Sequence, residues 1–262
     1  MDYRGSTALV TGASSGIGTA LAEALAARGA DVVLVARSTD TLDAIAADLR
    51  RRHGVRAEVV TADLTATDAA ERIRAEVDRR GLTVDILVNN AGFGSAGTFH
   101  QVPAERSRRE VALDVAAVVD LTHQFLPDMA ARRRGAVLNV ASTAAYQPVP
   151  NMAVYGASKA FVLSFSEALW AEYRRLGVRV AAVCPGPVDT AFFDELGTDR
   201  GQVGQFRTPA QVAKSALRAL DRGRPRVTPG LVNAAVPMLS RLLPRRVVLG
   251  VSARLLAEAS PA

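Results

Sequence analysis

A chain of 262 residues that is 49% hydrophobic and 22% charged has the composition of a soluble globular protein, long enough for one large α/β domain or two small ones. Its one cysteine, Cys184, excludes an intrachain disulfide and fits a reducing, cytoplasmic setting; lying in an apolar run, it reads as a buried structural thiol. The net charge of +6 is uneven: from Arg200 onward there are 11 Lys or Arg against 2 Asp or Glu, but these arginines are scattered among apolar residues with few aromatics, which argues against nucleic acid.

The N-terminus enters a strand-like segment almost at once, leaving no room for a signal peptide. Ser6 to Thr11 reads as a buried strand, followed by a glycine-rich turn and a helix to about Arg28. Strands are expected at Asp31 to Ala36, Arg56 to Thr61, Val84 to Asn89, Ala136 to Ala141 and Val178 to Cys184. Helices are expected at about Asp40 to His53, Thr67 to Arg80, Ala104 to Arg133, Asn151 to Leu176 and Ala210 to Asp221, with a short strand near Arg226 to Thr228. Apolar Val/Ile/Leu runs alternating with helices predict a doubly wound parallel sheet covered on both faces, and the lack of a repeat or linker predicts a single domain over 1–262. The uncharged run from Gly135 to Ser158 has the length of a membrane span, but Asn139, Gln147, Pro148, Pro150 and Asn151 divide it into a strand, a loop and a helix start.

Thr11-Gly12-Ala13-Ser14-Ser15-Gly16-Ile17-Gly18 follows the first strand and opens the first helix. Glycines there permit a tight turn and a close backbone approach to a pyrophosphate, and the helix N-terminus offers free N–H groups and a positive dipole end; the alternative is a strand–helix turn with no ligand. The second strand ends in Val35-Ala36-Arg37-Ser38, with no acidic residue for an adenosine ribose. Arg37 suits a 2′-phosphate instead, favouring NADP over NAD, unless it is a solvated arginine at a strand end. Asp63 could accept from an adenine amino group or cap its own turn in Asp63-Leu64-Thr65.

Tyr155 and Lys159 stand four apart in Tyr155-Gly156-Ala157-Ser158-Lys159. On a helix they share a face, with Cβ atoms roughly 5–6 Å apart. The ammonium would favour the phenolate and lower the tyrosine pKa, making a usable acid of it, although an exposed helix face can carry the same pair.

Together these residues resemble the short-chain dehydrogenases/reductases of about 250 residues. The likeness is carried by Thr11-Gly12-x-x-x-Gly16-x-Gly18, Asp63, Asn89-Asn90-Ala91-Gly92, Ser142, Tyr155-x-x-x-Lys159 and Pro185-Gly186, in order and spacing across about the first 190 residues. The resemblance implies a Rossmann-like fold in which Tyr155 exchanges a proton with a carbonyl or alcohol oxygen while hydride moves to or from a nicotinamide. Lys159 would hold the nicotinamide ribose and depress the tyrosine pKa, and Ser142 would orient the carbonyl. The cofactor set would comprise Gly12, Ser14, Ser15, Gly16, Ile17, Gly18, Arg37, Asp63, Leu64, Asn89, Ala91 and Gly92, with Pro185, Gly186, Val188 and Thr190 at the nicotinamide end; turn chemistry is the other reading of Asn89 and Asn90. No metal is implied. The resemblance also implies a homo-oligomer, with dimers and tetramers both common.

The likeness breaks at Leu113-Asp114-Val115, where the family usually has asparagine and this chain has Asp114. Asp114 could position a water and support a protonated Lys159, or raise the pKa of Tyr155 and move the pH optimum upward. Phe93, Val149, Met152, Phe192 and Phe193 are candidate contacts to an apolar ketone, aldehyde or alcohol, or ordinary packing. The loop over 190–207, with Gly197, Gly201 and Gly204, suits a mobile lid. The tail over 229–262 mixes Leu and Val with Arg241, Arg245, Arg246 and Arg254 and reads as an amphipathic helix that covers the domain or a partner subunit, or as a weak peripheral membrane contact. The expected activity is an NADP-preferring carbonyl reductase or alcohol dehydrogenase; the alternative is a catalytically idle NADP sensor on the same fold.

Overall fold

The structure is a computed structural model and describes residues 1–196 and 204–255. Seven strands form one parallel sheet: β1 (Thr7–Thr11), β2 (Asp31–Ala36), β3 (Ala57–Thr61), β4 (Val84–Asn89), β5 (Gly135–Val140), β6 (Val178–Val183) and β7 (Arg226–Val227). Their order is β3-β2-β1-β4-β5-β6-β7. The chain winds outward in one direction from β1 to β3, then crosses back to place β4 beside β1. That reversal opens a crevice above the C-terminal ends of β1 and β4, where a doubly wound sheet holds its ligand.

Every residue of β1, β4 and β5 is buried, which is why these segments read as continuous apolar runs rather than alternating ones. On one face the sheet packs against α1 (Gly16–Ala26), α2 (Thr39–His53) and α8 (Pro209–Asp221), through Leu21, Leu25, Leu42 and Leu217, none of them exposed. On the other it packs against α3 (Ala69–Arg79), α5 (Ala117–Ala131) and α6 (Ala153–Tyr173), through Ile73, Leu121, Phe125 and Met129. Each such side chain contributes about 1.5–3 kcal/mol when fully buried. Helix α8 begins on a reciprocal cap, Thr208 accepting from the Gln211 N–H and the Gln211 side chain accepting from the Thr208 N–H. Its far end is tied to the start of the chain, where Asp221 accepts from the Tyr3 hydroxyl at 2.8 Å and pairs with Arg28 at 2.9 Å.

Three differences from the sequence reading bear on the site. The single helix expected from Ala104 to Arg133 is divided into α4 (Ala104–Val111), a π-helical turn (Ala112–Ala116) and α5. The turn carries Asp114 inward to complete burial; such insertions re-aim one side chain without ending the helix, and they recur at functional sites. The helix with Tyr155 starts at Ala153, because Asn151 takes a left-handed φ of 63° just before it. The segment read as a lid contains α7 (Phe192–Leu196), while Gly197 and Gly201 lie outside the described residues. Two further helices, α9 (Leu231–Leu242) and α10 (Arg245–Leu255), follow β7 and leave Leu231, Leu242, Val247 and Val251 exposed. Among the described residues no helix is long and apolar enough to cross a membrane.

Candidate active site

Helix α1 can begin so close to β1 because its glycines let backbone meet backbone. A Cβ on Gly18 would lie 2.1 Å from the Gly12 carbonyl oxygen, and one on Gly12, whose φ is +62°, would lie 2.9 Å from the Ala91 Cα. Thr11 and Asn90 lock the two strands of the crevice together. The Thr11 hydroxyl accepts from the Asn90 and Ala91 N–H groups at 2.9 and 3.0 Å, and the Asn90 amide donates to the Thr11 carbonyl at 2.9 Å.

A cleft of about 850 Å³ opens above this junction. Its walls include Gly12, Ser14, Ser15, Gly16 and Ile17 from the glycine loop, Arg37 beyond β2, Asp63 and Leu64 beyond β3, and Ala91 and Gly92 beyond β4. Ser142, Tyr155 and Lys159 line it too, as do Pro185, Gly186, Val188 and Thr190. At the same opening stand Phe93, Val149, Met152, Phe192 and Phe193. Val149, Met152 and Leu196 form a small apolar cluster, with Ala96, Ala144, Tyr155, Phe192 and Phe193 packed on it; the Tyr155 and Phe192 rings are 5.4 Å apart.

Three residues read from the sequence as site residues are not on the wall. Gly18 packs beneath the loop, for the steric reason given above. Asn89 points away from the cleft: its side chain donates to Asn139 at 2.9 Å and to Thr122 at 3.3 Å, bracing β4 against β5 and α5. Successive residues of a strand face opposite ways, so it is Asn90 that reaches the glycine loop. Asp114 lies behind Lys159.

Ser142 stands two residues beyond the end of β5, and its hydroxyl accepts from the Ala144 N–H at 3.1 Å. The backbone thus occupies an acceptor lone pair and leaves the hydroxyl proton free to donate. Lys159 is buried, its ammonium 2.8 Å from Asp114 Oδ2 and 3.5 Å from the Val140 carbonyl. Burial by itself would drive that ammonium's pKa down; the charges of Asp114 and Tyr155 outweigh it and hold the group above its ordinary value. Asp114 Oδ1 accepts from the Phe93 N–H at 3.1 Å, and burial pushes this carboxyl up against the pull of Lys159.

The expected lowering of the Tyr155 pKa is corrected by the same geometry. Desolvation of the phenol is the largest influence and raises it; Lys159 and the Ser142 hydroxyl pull it down, and Asp114 and Glu110 push it further up, so the net direction is upward. Asp63 keeps both roles open to it: Oδ1 caps its turn by accepting from the Thr65 N–H and hydroxyl, while the residue stands on the cleft wall. Cys184 is a free, buried thiol pushed up to about 12, a structural group.

The sequence reading missed several residues. Arg106 and Arg109 line the cleft, and Arg109 acts on Asp63 together with Arg37; nothing in their local pattern separates them from a solvated helix face. Asn233 of α9 is buried and joined to Gln205 and Pro229. A Cβ on Gly186 would meet its side chain at 2.6 Å, so α9 presses on the wall of the cleft.

Residues 6–201 match the family model for short chain dehydrogenases. The chain belongs to the short-chain dehydrogenase family. It is 34% identical over 222 residues to a very-long-chain 3-oxoacyl-CoA reductase of Bos taurus, covering 83% of this chain and 69% of that protein. It is 33% identical over 246 residues to a 17-beta-hydroxysteroid dehydrogenase type 3 of Rattus norvegicus, covering 93% and 78%. Among solved structures, a short-chain dehydrogenase from Sphingobium yanoikuyae in complex with NADPH superimposes with a TM-score of 0.81 at 34% identity, over 98% of this chain and 97% of that one.

Proposed function

We propose that this member of the family is an NADP(H)-dependent oxidoreductase that interconverts an apolar ketone or aldehyde with its alcohol. The observation that carries the reading is the placement of Ser142, Tyr155 and Lys159 on one cleft, between a glycine-loop cradle and an apolar cluster. The cradle suits a dinucleotide: its glycines leave room for a pyrophosphate against the α1 N-terminus, and Asp63 stands where an adenine amino group can donate to it. Arg37, exposed at the mouth in a β2–α2 turn that carries no acidic residue, suits a 2′-phosphate. Pro185, Gly186, Val188 and Thr190 would hold the nicotinamide end. When bound, this group supplies or accepts the hydride.

The chain's own residues handle the oxygen. In reduction, the Tyr155 hydroxyl donates its proton to the carbonyl oxygen as negative charge builds there, and the Ser142 hydroxyl donates a hydrogen bond to the same oxygen. The Lys159 ammonium, kept charged by Asp114, favours the phenolate that Tyr155 becomes. In oxidation the phenolate takes the alcohol proton. Val149, Met152, Phe192, Phe193 and Leu196 exclude water and select a substrate with an apolar body around the carbonyl. The two curated relatives act, by their names, on very-long-chain 3-oxoacyl-CoA and on 17-beta-hydroxysteroids, whose acyl chain and ring system are apolar, which supports that substrate class.

The test is a turnover panel with purified protein, NADPH against NADH, across 3-oxoacyl thioesters, ketosteroids and small polar ketones. We expect turnover of bulky apolar ketones, faster with NADPH. Tight NADPH binding with no turnover of any ketone would sink the catalytic reading and leave the idle sensor.

A further inference from the structure

Glu110 is fully buried, and among the described residues neither carboxylate oxygen has a hydrogen-bond partner of sound geometry, the nearby Ser95 hydroxyl only easing its charge. Two unpaired acceptors at such depth are costly unless the group holds a proton or exchanges one. Its position is specific. It stands at the end of α4, four residues before Asp114, and the π turn brings both carboxyls to the interior side. Asp114 contacts Lys159, and Lys159 lies 5.6 Å from the Tyr155 ring centre. On the other side Arg106, exposed and one turn earlier, donates to the Ser95 hydroxyl at 3.0 Å and to the Gly94 carbonyl at 2.8 Å. Ser95 is buried beside Glu110. An array of polar groups therefore runs from the surface, through Arg106 and Ser95, to Glu110, Asp114 and Lys159.

We propose that Glu110 is the proton reserve of the site, returning a proton to Tyr155 after each reduction and refilling from solvent on the Arg106 side. The inference rests on the reductase reading above. After Tyr155 has given up its O–H proton, a phenolate remains. A Lys159 N–H proton replaces it, and the lysine is reprotonated from the Asp114–Glu110 pair. The net change is that the Glu110 O–H bond breaks and the Tyr155 O–H bond forms, with no electrons transferred; one solvent proton restores Glu110.

The charged groups around Glu110 support this use. Burial raises its pKa to about 7; the Ser95 hydroxyl opposes this, Asp114 adds to it, and Arg106 and Lys159 oppose it. From α6, Tyr155 and Lys159 both sense its charge, which raises the pKa of each. The carboxyl thus gains and loses a proton where a working enzyme needs one.

The test compares wild type, Glu110→Gln and Glu110→Asp. In cofactor-free protein, infrared difference spectra should show a protonated carboxyl titrating near neutral pH, absent in Glu110→Gln and retained, displaced, in Glu110→Asp. Tyrosinate absorbance, with Tyr155→Phe as the blank, should place the Tyr155 midpoint lower in Glu110→Gln by about half a pH unit or more, because a carboxylate is gone. In ketone reduction by NADPH, wild-type kcat should show an inflection near neutral pH that Glu110→Gln lacks and Glu110→Asp restores. An unmoved Tyr155 midpoint, or superimposable kcat profiles between about pH 6 and 8, overturns the proposal. If no ketone is turned over, the reductase reading fails separately, and the tyrosinate shift alone then decides whether Glu110 is coupled to Tyr155.

Discussion

Asp114 Oδ2 lies 2.8 Å from Lys159 Nζ, with the carboxylate wholly buried and the ammonium nearly so. The ammonium that should stabilise a phenolate therefore shares its charge with a carboxylate that destabilises one. Asp114→Asn removes a charge that raises the pKa of Tyr155. Reduction needs the phenol, so its rate falls as pH rises through the Tyr155 pKa. In the variant that alkaline limb should move down by on the order of one pH unit. The pH profile of kcat/KM checks this, and an unchanged profile with an unchanged rate would show that Asp114 does not tune the site.

Gly92 holds this pair from the cleft side. A Cβ there would stand 2.9 Å from both Asp114 Oδ1 and Lys159 Nζ. Gly92→Ala should fold, since nothing but these side chains must give, yet lose about 10²-fold in kcat by displacing the ammonium. Circular dichroism and steady-state kinetics separate the two effects.

Arg37 should decide between the two nicotinamide cofactors. Loss of a charge-assisted contact costs about 1.5–3 kcal/mol, so Arg37→Ala should weaken NADPH binding by about 10–100-fold and leave NADH binding nearly unchanged. Because Arg37 is exposed, the NADPH advantage of the wild type should also shrink with added salt. Fluorescence titration of both cofactors at two ionic strengths measures each point.

Glu110 should cost the fold stability at alkaline pH. Its folded pKa of about 7 stands above the ordinary 4.5, so between these values the folded state binds more protons than the unfolded state. Stability then falls as pH rises from about 4.5 to about 7 and stays low above. Glu110→Gln should be more stable than wild type at about pH 8, by up to about 3 kcal/mol, with the advantage shrinking toward about pH 5. Urea unfolding at the two pH values tests the sign.

What could be read from the chain were the features whose cause is local. The apolar runs of β1 to β6 predict parallel strands buried on both faces, and the topology follows from alternating them with helices. The glycine loop is legible because Gly12, Gly16 and Gly18 serve a turn made within one strand–loop–helix segment. Tyr155 and Lys159 are legible because one helix sets their spacing. Strand ends were read to within a residue, whereas the π turn was missed, since no residue in Ala112-Leu113-Asp114-Val115-Ala116 breaks the helical pattern.

The tertiary structure decided what depends on desolvation and on residues far apart in the chain. It turned Asn89 into the sheet and left Asn90 at the glycine loop. It set Asp114 against Lys159, 45 residues away in sequence, and buried Glu110 behind them. It also reversed the expected direction of the Tyr155 pKa, because a helical spacing specifies which charges are neighbours but not how much water is removed from around them. The sequence by itself thus determined the fold family and the candidate residues that line the cleft; the packing decided which way their pKa values move.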